Sequence, residues 1–164
     1  MLAIGVDPGT AITGYGLVSE TKDGKLEAVA YGVIRTQKNE TAGERLSVLY
    51  ARLKEIIDLH RPESGAVEKL FFQRNVTTAL SVGQARGVAL LALSENKVPT
   101  FEYTPMQVKQ AVCGYGGAGK AQIQQMVKIL LELEEIPEPD DAADALAVAI
   151  CHLNSRKLGG LDEK

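Results

Sequence analysis

An α/β fold, built as a five-stranded mixed sheet with helices on both faces, is predicted by three observations. Three strand-like segments open the chain, a long amphipathic helix follows them, and strand and helix patterns alternate from there on. At 164 residues the chain fits one domain, expected over 1–158 with a flexible tail at 159–164.

The first strand is the apolar run Leu2-Ala3-Ile4-Gly5-Val6, closed by Asp7. The second spans 15–19 and the third 26–36, where Val29, Tyr31 and Val33 alternate. Asp23-Gly24 between them reads as a hairpin turn. Thr41 and Glu44 have capping-box spacing, and Leu46, Leu49, Leu53, Ile56 and Ile57 recur every three or four residues until Pro62 ends the helix. A short strand at 65–68 ends on Glu68. A helix over 76–95 follows, although Gly83 and Gly87 each weaken it by about 1 kcal/mol relative to alanine. The fifth strand is 100–103, and Pro105 opens a short helix. The glycine-rich segment 114–119 separates it from a helix over 120–134, and the last helix covers 141–156.

If the first strand pairs with the meander on one side and with 65–68 on the other, those two strands run parallel. Asp7 and Glu68 then lie side by side at their carboxyl ends, where open α/β sheets bind ligands. A carboxylate there is costly to desolvate unless something positive balances it. Asp141 and Asp144 stand at the head of the last helix, about 300° apart in rotation, so both reach one face. Four converging carboxylates are what a hard divalent cation such as Mg²⁺ requires. Acids in a first helical turn are also favoured by the helix dipole, and spacing alone does not choose between Asp140 and Asp141.

The net charge of −3 is unevenly distributed. Residues 1–68 carry ten acids and eight bases, 69–131 carry seven bases and two acids, and 132–164 carry nine acids and three bases. The basic middle block suits a nucleic-acid partner, with an indifferent solvated surface as the plain alternative. Cys113 and Cys151 are far apart and suggest reduced thiols of a cytoplasmic protein. No signal peptide is expected, and no apolar stretch approaches the length of a membrane span.

Asp7-Pro8-Gly9-Thr10 is a turn with an acid at its hinge; the same string occurs in the phosphate loops of actin- and hexokinase-like ATPases, which need two lobes and more than twice this length. Residues 114–120, GYGGAGK, meet the spacing of a phosphate loop, but Ala121 stands where Mg²⁺ coordination needs Ser or Thr. The segment reads as a basic loop whose Lys120 meets a phosphate. Phe71 and Phe72, between Lys69 and Arg74, suit stacking on an unpaired base, worth about 1–3 kcal/mol, with burial in the core as the competing use. His60 and His152 are read as incidental, His152 lying too far along its helix to share a metal with the acids.

In five strings the chain resembles the bacterial RuvC Holliday junction resolvases of the ribonuclease H-like superfamily: Asp7-Pro-Gly-Thr-x-x-Thr-Gly-Tyr-Gly, Glu68-Lys-Leu-Phe71, Gly83-Gln-Ala-Arg-Gly-Val, Gln107-Val-Lys-Gln and Asp141-Ala-Ala-Asp-Ala-Leu-Ala. They fall in order along nearly the whole chain. The resemblance implies that Asp7, Glu68, Asp141 and Asp144 are the catalytic, metal-binding quartet, which decides for Asp141 over Asp140. It makes Phe71 the aromatic that inserts at the crossover and sets Lys109 and Lys120 beside the scissile phosphate. Phe72, Arg74 and Arg86 are counted with them as DNA-binding residues. Lys69 departs from the neutral residue other members often carry.

The activity implied is Mg²⁺-dependent resolution of four-way DNA junctions in recombination and repair, with two ions per site and Mn²⁺ as a substitute. A homodimer nicking opposing strands, leaving 5′-phosphate ends and partnered by the RuvA–RuvB branch-migration complex, is implied with it. A non-catalytic junction-binding scaffold and an actin-like ATPase are the alternatives.

Overall fold

In the computed structural model, which describes residues 1–69 and 76–159, the sheet has the order β3-β2-β1-β4-β5. Its strands are β1 (Leu2–Asp7), β2 (Ile12–Glu20), β3 (Leu26–Arg35), β4 (Ser64–Glu68) and β5 (Thr100–Tyr103). β1, β2 and β3 form an antiparallel meander, while β1–β4 and β4–β5 pair in parallel, so the pairing on which the placing of Asp7 beside Glu68 was conditioned is present. β2 begins earlier than expected because Thr13 and Gly14 continue the ladder opposite Ile34 and Val33 of β3. Gly24, in the left-handed region, turns β2 into β3.

Five helices cover the two faces: α1 (Ala42–His60) and α2 (Val76–Glu95) on one, α3 (Pro105–Cys113), α4 (Lys120–Leu130) and α5 (Asp140–Gly159) on the other. The Thr41–Glu44 capping box forms at α1, and an equivalent box of Thr104 and Gln107 starts α3. α4 ends sooner than its sequence pattern suggests, where Glu132 takes a left-handed conformation at φ 51°. α5 runs on to Gly159; the rest of the expected tail lies outside the described residues.

The core is split by the sheet. Ile4, Val6, Leu17 and Val67 meet Leu49, Leu53, Ala89 and Leu93 on one side. Ala3, Val18 and Ala66 meet Val108, Val127, Leu146 and Ile150 on the other. Every residue of α5 from Ala142 to Leu153 is buried except Asp144. Close approach requires small residues on both partners: a Cβ at Gly5, Gly14 or Gly16 would collide with Ala145, Asp141 or Leu146 of α5. The alanines of α5 and the glycines of β1 and β2 are thus one packing device, and it lowers the head of α5 onto the end of β1.

One expectation needs correction. By length and composition α2 is long and apolar enough to cross a membrane. Its Ala85, Ala89, Ala92 and Leu93 nevertheless pack into the core as the stripe of a sheet-covering helix.

Candidate active site

Parallel pairing of β1 with β4 in the register Val6 to Val67 sets Asp7 and Glu68 side by side at the carboxyl ends. Asp7 also pairs with Gly14 of β2, and the backbone of Asp141 rests on that glycine. Asp144 follows one turn along α5. A cavity of about 220 Å³ opens here, lined by Asp7, Glu68 and Asp144. Lys109 of α3 and Lys120 at the start of α4 line it too, against an apolar wall that includes Val108 and Ile123. Three of the four expected acids therefore share one cavity. Asp141 does not line it, but its charge is felt by both Asp7 and Asp144.

The electrostatics are those of crowded acids. Burial first, then Asp144, Glu68 and Asp141, push the Asp7 carboxyl up to about 8. Glu68 is raised by burial and by Asp144, with Lys109 opposing. Asp144 is raised by burial, with Lys120 pulling it back. Lys120 Nζ lies 3.1 Å from Asp140 Oδ2 and 3.7 Å from Asp144 Oδ2. Asp140 also accepts a hydrogen bond from Gln124 at 2.8 Å. Asp140, the geometric rival of Asp141, is thus committed to Lys120 and Gln124 and does not line the cavity.

An all-oxygen donor set in an acid-crowded cavity fits a hard divalent cation, whose charge would remove the repulsion that now favours protonation of Asp7. As they stand, no three acid, histidine or cysteine side chains among the described residues close on a common point at ligating distance.

The basic residues divide. Lys109 and Lys120 face the cavity. Arg86, expected at DNA, turns inward instead: its side chain is 20% exposed and paired with Glu102, and its Nε donates to the Glu68 carbonyl at 3.3 Å. The acid that holds it is on β5, and charge counting along the sequence does not reveal the pair. Phe71, Phe72 and Arg74 lie outside the described residues.

Sequence reasoning also missed two polar networks. The Thr10 hydroxyl is spent on Ser81 of α2, donating to its carbonyl at 2.9 Å, so the DPGT turn has no free hydroxyl for a phosphate. Thr13 pins the same turn, donating to the Gly9 carbonyl at 2.6 Å and accepting from its N–H at 3.1 Å. The GYGGAG segment joins two helices, with Gly114 capping α3 and Gly119 preceding α4, where a phosphate loop would follow a strand. His152 is not incidental: wholly buried, it bonds Tyr103 Oη at 2.9 Å and Ser64 Oγ at 2.8 Å. A polar residue on the otherwise apolar face of α5 was the available signal.

A sheet of this order, with an acid-bearing helix laid over the carboxyl ends of its central strands, is the ribonuclease H-like α/β architecture of junction resolvases. The yeast mitochondrial Holliday junction resolvase shares this fold at 15% identity, with a TM-score of 0.68 over 94% of this chain and 80% of that one. The chain belongs to the RuvC family, whose model, crossover junction endodeoxyribonuclease RuvC, matches residues 3–152. A relative of that name from Pelotomaculum thermopropionicum is 60% identical over 93% of this chain and 92% of its own. Another, from Heliobacterium modesticaldum, is 57% identical over 97% and 98%. Thermus thermophilus RuvC superposes with a TM-score of 0.90 at 40% identity, covering 97% of both chains. The same protein in complex with a Holliday junction substrate gives 0.88 at 38%, again over 97% of both.

Proposed function

We propose that this protein is a structure-specific endonuclease that resolves four-way DNA junctions by paired, symmetric nicks in recombination and repair. The observation that carries the reading is the cavity itself. Asp7, Glu68 and Asp144 meet Lys109 and Lys120 there, in a chain similar along 97% of its length to a RuvC solved with a Holliday junction.

Asp7, Glu68, Asp141 and Asp144 are the residues that would hold Mg²⁺, or Mn²⁺ in its place. Two such ions, when bound, supply activation of the attacking water and stabilisation of the departing 3′ oxygen, leaving 5′-phosphate ends. The strand ends give Asp7 and Glu68 a rigid base, which matters because ligand oxygens must be held to fractions of an ångström. Lys120 is paired with Asp140 and Asp144, and a phosphate entering the cavity competes for it. Lys109, on the Glu68 side, neutralises charge building on the same phosphate. Phe71, Phe72 and Arg74, which follow Glu68 closely in the chain, are assigned to the unpaired bases and backbone at the crossover.

Symmetric nicking calls for two sites, hence a homodimer. The outward face of α2 supports it: Val76, Leu80 and Leu91 are exposed large apolar residues at helical spacing, with Gly87 between the last two leaving room for a second helix. A single nuclease domain over 1–158, partnership with a RuvA–RuvB motor and a cytoplasmic site of action belong to the same reading.

The test is incubation with a synthetic four-way junction and a linear duplex control, in Mg²⁺ and in EDTA. Paired incisions confined to the junction and to Mg²⁺ are expected. Binding without cutting under any divalent metal would favour a scaffold and sink the proposal.

A further inference from the structure

We infer that Arg86 is a positioning residue for the metal-binding acids: through it, α2 holds the carboxyl end of β4 and sets where Glu68 stands relative to Asp7. The inference rests on the nuclease reading above.

Arg86 sits beside Ala85 and Ala89, the fully buried residues that seat α2 on the sheet. Its guanidinium reaches across the strand ends. Nε donates to the backbone carbonyl of Glu68 at 3.3 Å, and a terminal nitrogen pairs with the carboxylate of Glu102. Glu102 is on β5, opposite Val67 in the parallel ladder. One side chain therefore ties a helix to the last residues of two adjacent strands. Only a guanidinium does this well, because its donors are fixed in a plane and serve a carbonyl and a carboxylate together, whereas an ammonium is a point charge.

The geometry argues against a DNA contact. Arg86 is four-fifths buried, and drawing it out to a phosphate would break its pair with Glu102 and release the Glu68 carbonyl. Five residues earlier on α2, Ser81 accepts from the Thr10 hydroxyl, and Thr36 donates to the Thr10 carbonyl at 2.6 Å. α2 thus grips both acid-bearing ends, the turn after Asp7 through Ser81 and the end of β4 through Arg86. Outer partners of this kind orient metal ligands, and their loss typically weakens metal affinity about 10–100-fold.

The experiment compares wild type, Arg86→Gln, Arg86→Lys and Glu102→Gln. Mn²⁺ binding to the metal-free protein is measured by titration calorimetry, four-way-junction binding in EDTA, and cleavage as a function of Mg²⁺. Arg86→Gln and Glu102→Gln are expected to weaken Mn²⁺ binding about tenfold and raise the half-saturating Mg²⁺ in parallel. Junction binding should stay within about twofold, and Arg86→Lys should fall between. A DNA-contact role predicts the reverse: Arg86→Gln would weaken junction binding with Mn²⁺ affinity intact, and Glu102→Gln, by freeing the guanidinium, would tighten it. Either result overturns the inference. If Arg86→Gln does not fold, Glu102→Gln decides, since its two predictions differ in kind. A wild-type protein that binds Mn²⁺ but cuts no junction would end the nuclease reading and leave the Mn²⁺ comparison valid.

Discussion

Replacing Asp7 by asparagine should stabilise the protein in the absence of divalent cations, by an amount that grows with pH. In the unfolded chain the carboxyl ionises near 3.8, whereas burial and the neighbouring acids hold it protonated up to about 8 in the fold. As pH rises from 4 towards 8, the unfolded state gives up its proton and the folded state does not, so stability is lost over that window. At about 1.36 kcal/mol per unit, the loss at pH 7 approaches a ceiling of about 4 kcal/mol. The acids share the repulsion and Lys120 relieves part of it, so roughly half that ceiling is the working figure, or about 4–8 °C in melting temperature for a chain of this size. The assay is thermal unfolding of wild type and Asp7→Asn in EDTA across pH 4 to 9. The curves should nearly coincide at the acid end, with the variant melting higher from pH 7 upward. Mg²⁺ should then raise the wild type more than the variant. A constant offset at all pH values, or a variant that melts lower above pH 8, would refute the assignment of Asp7 to a carboxylate cluster.

Four further outcomes are expected. Asp7→Asn should also lose junction cleavage by about 10²-fold or more while retaining junction binding, since removing a negative group does not weaken phosphate contacts; gel cleavage and gel-shift assays check the two halves. Lys120→Met should lower the cleavage rate at saturating junction, by about 10²-fold, with junction affinity changing much less. On the proposed homodimer, Leu80→Asp with Leu91→Asp should give a monomer where the wild type sediments as a dimer and abolish paired incision, whereas an unchanged sedimentation coefficient would exclude the outer face of α2 as the interface. His152→Ala leaves Tyr103 and Ser64 without their partner and should cost about 1–3 kcal/mol from lost hydrogen bonds alone, read from urea unfolding.

Several elements could be read along the chain because their causes are local. The Thr41–Glu44 box and Pro105 announce helix starts by hydrogen-bond and φ preferences that need no distant partner, and both were found in place. The strand patterns were equally legible, since alternation and apolar runs reflect burial on one face or two. Boundaries shifted where a neighbour intervened: β2 grew at its start because β3 offered it a ladder. The partners of Arg86 and His152 were hidden from the sequence for the same reason in another form. Each is satisfied by residues distant in the chain, Glu102 and Glu68 for the arginine, Tyr103 and Ser64 for the histidine.

Residue order alone determined that acids would terminate two strands and head a helix, because pattern and turn chemistry are short-range. Which of those acids share one cavity, and which cations face it, was decided by tertiary packing. The glycines of β1 and β2 admit the alanine face of α5 at close range, and that contact carries Asp144 over Asp7 while leaving Asp141 at the margin. Charge pairing completed the division, since an arginine buried against a glutamate is held by attraction that no count along the sequence can register.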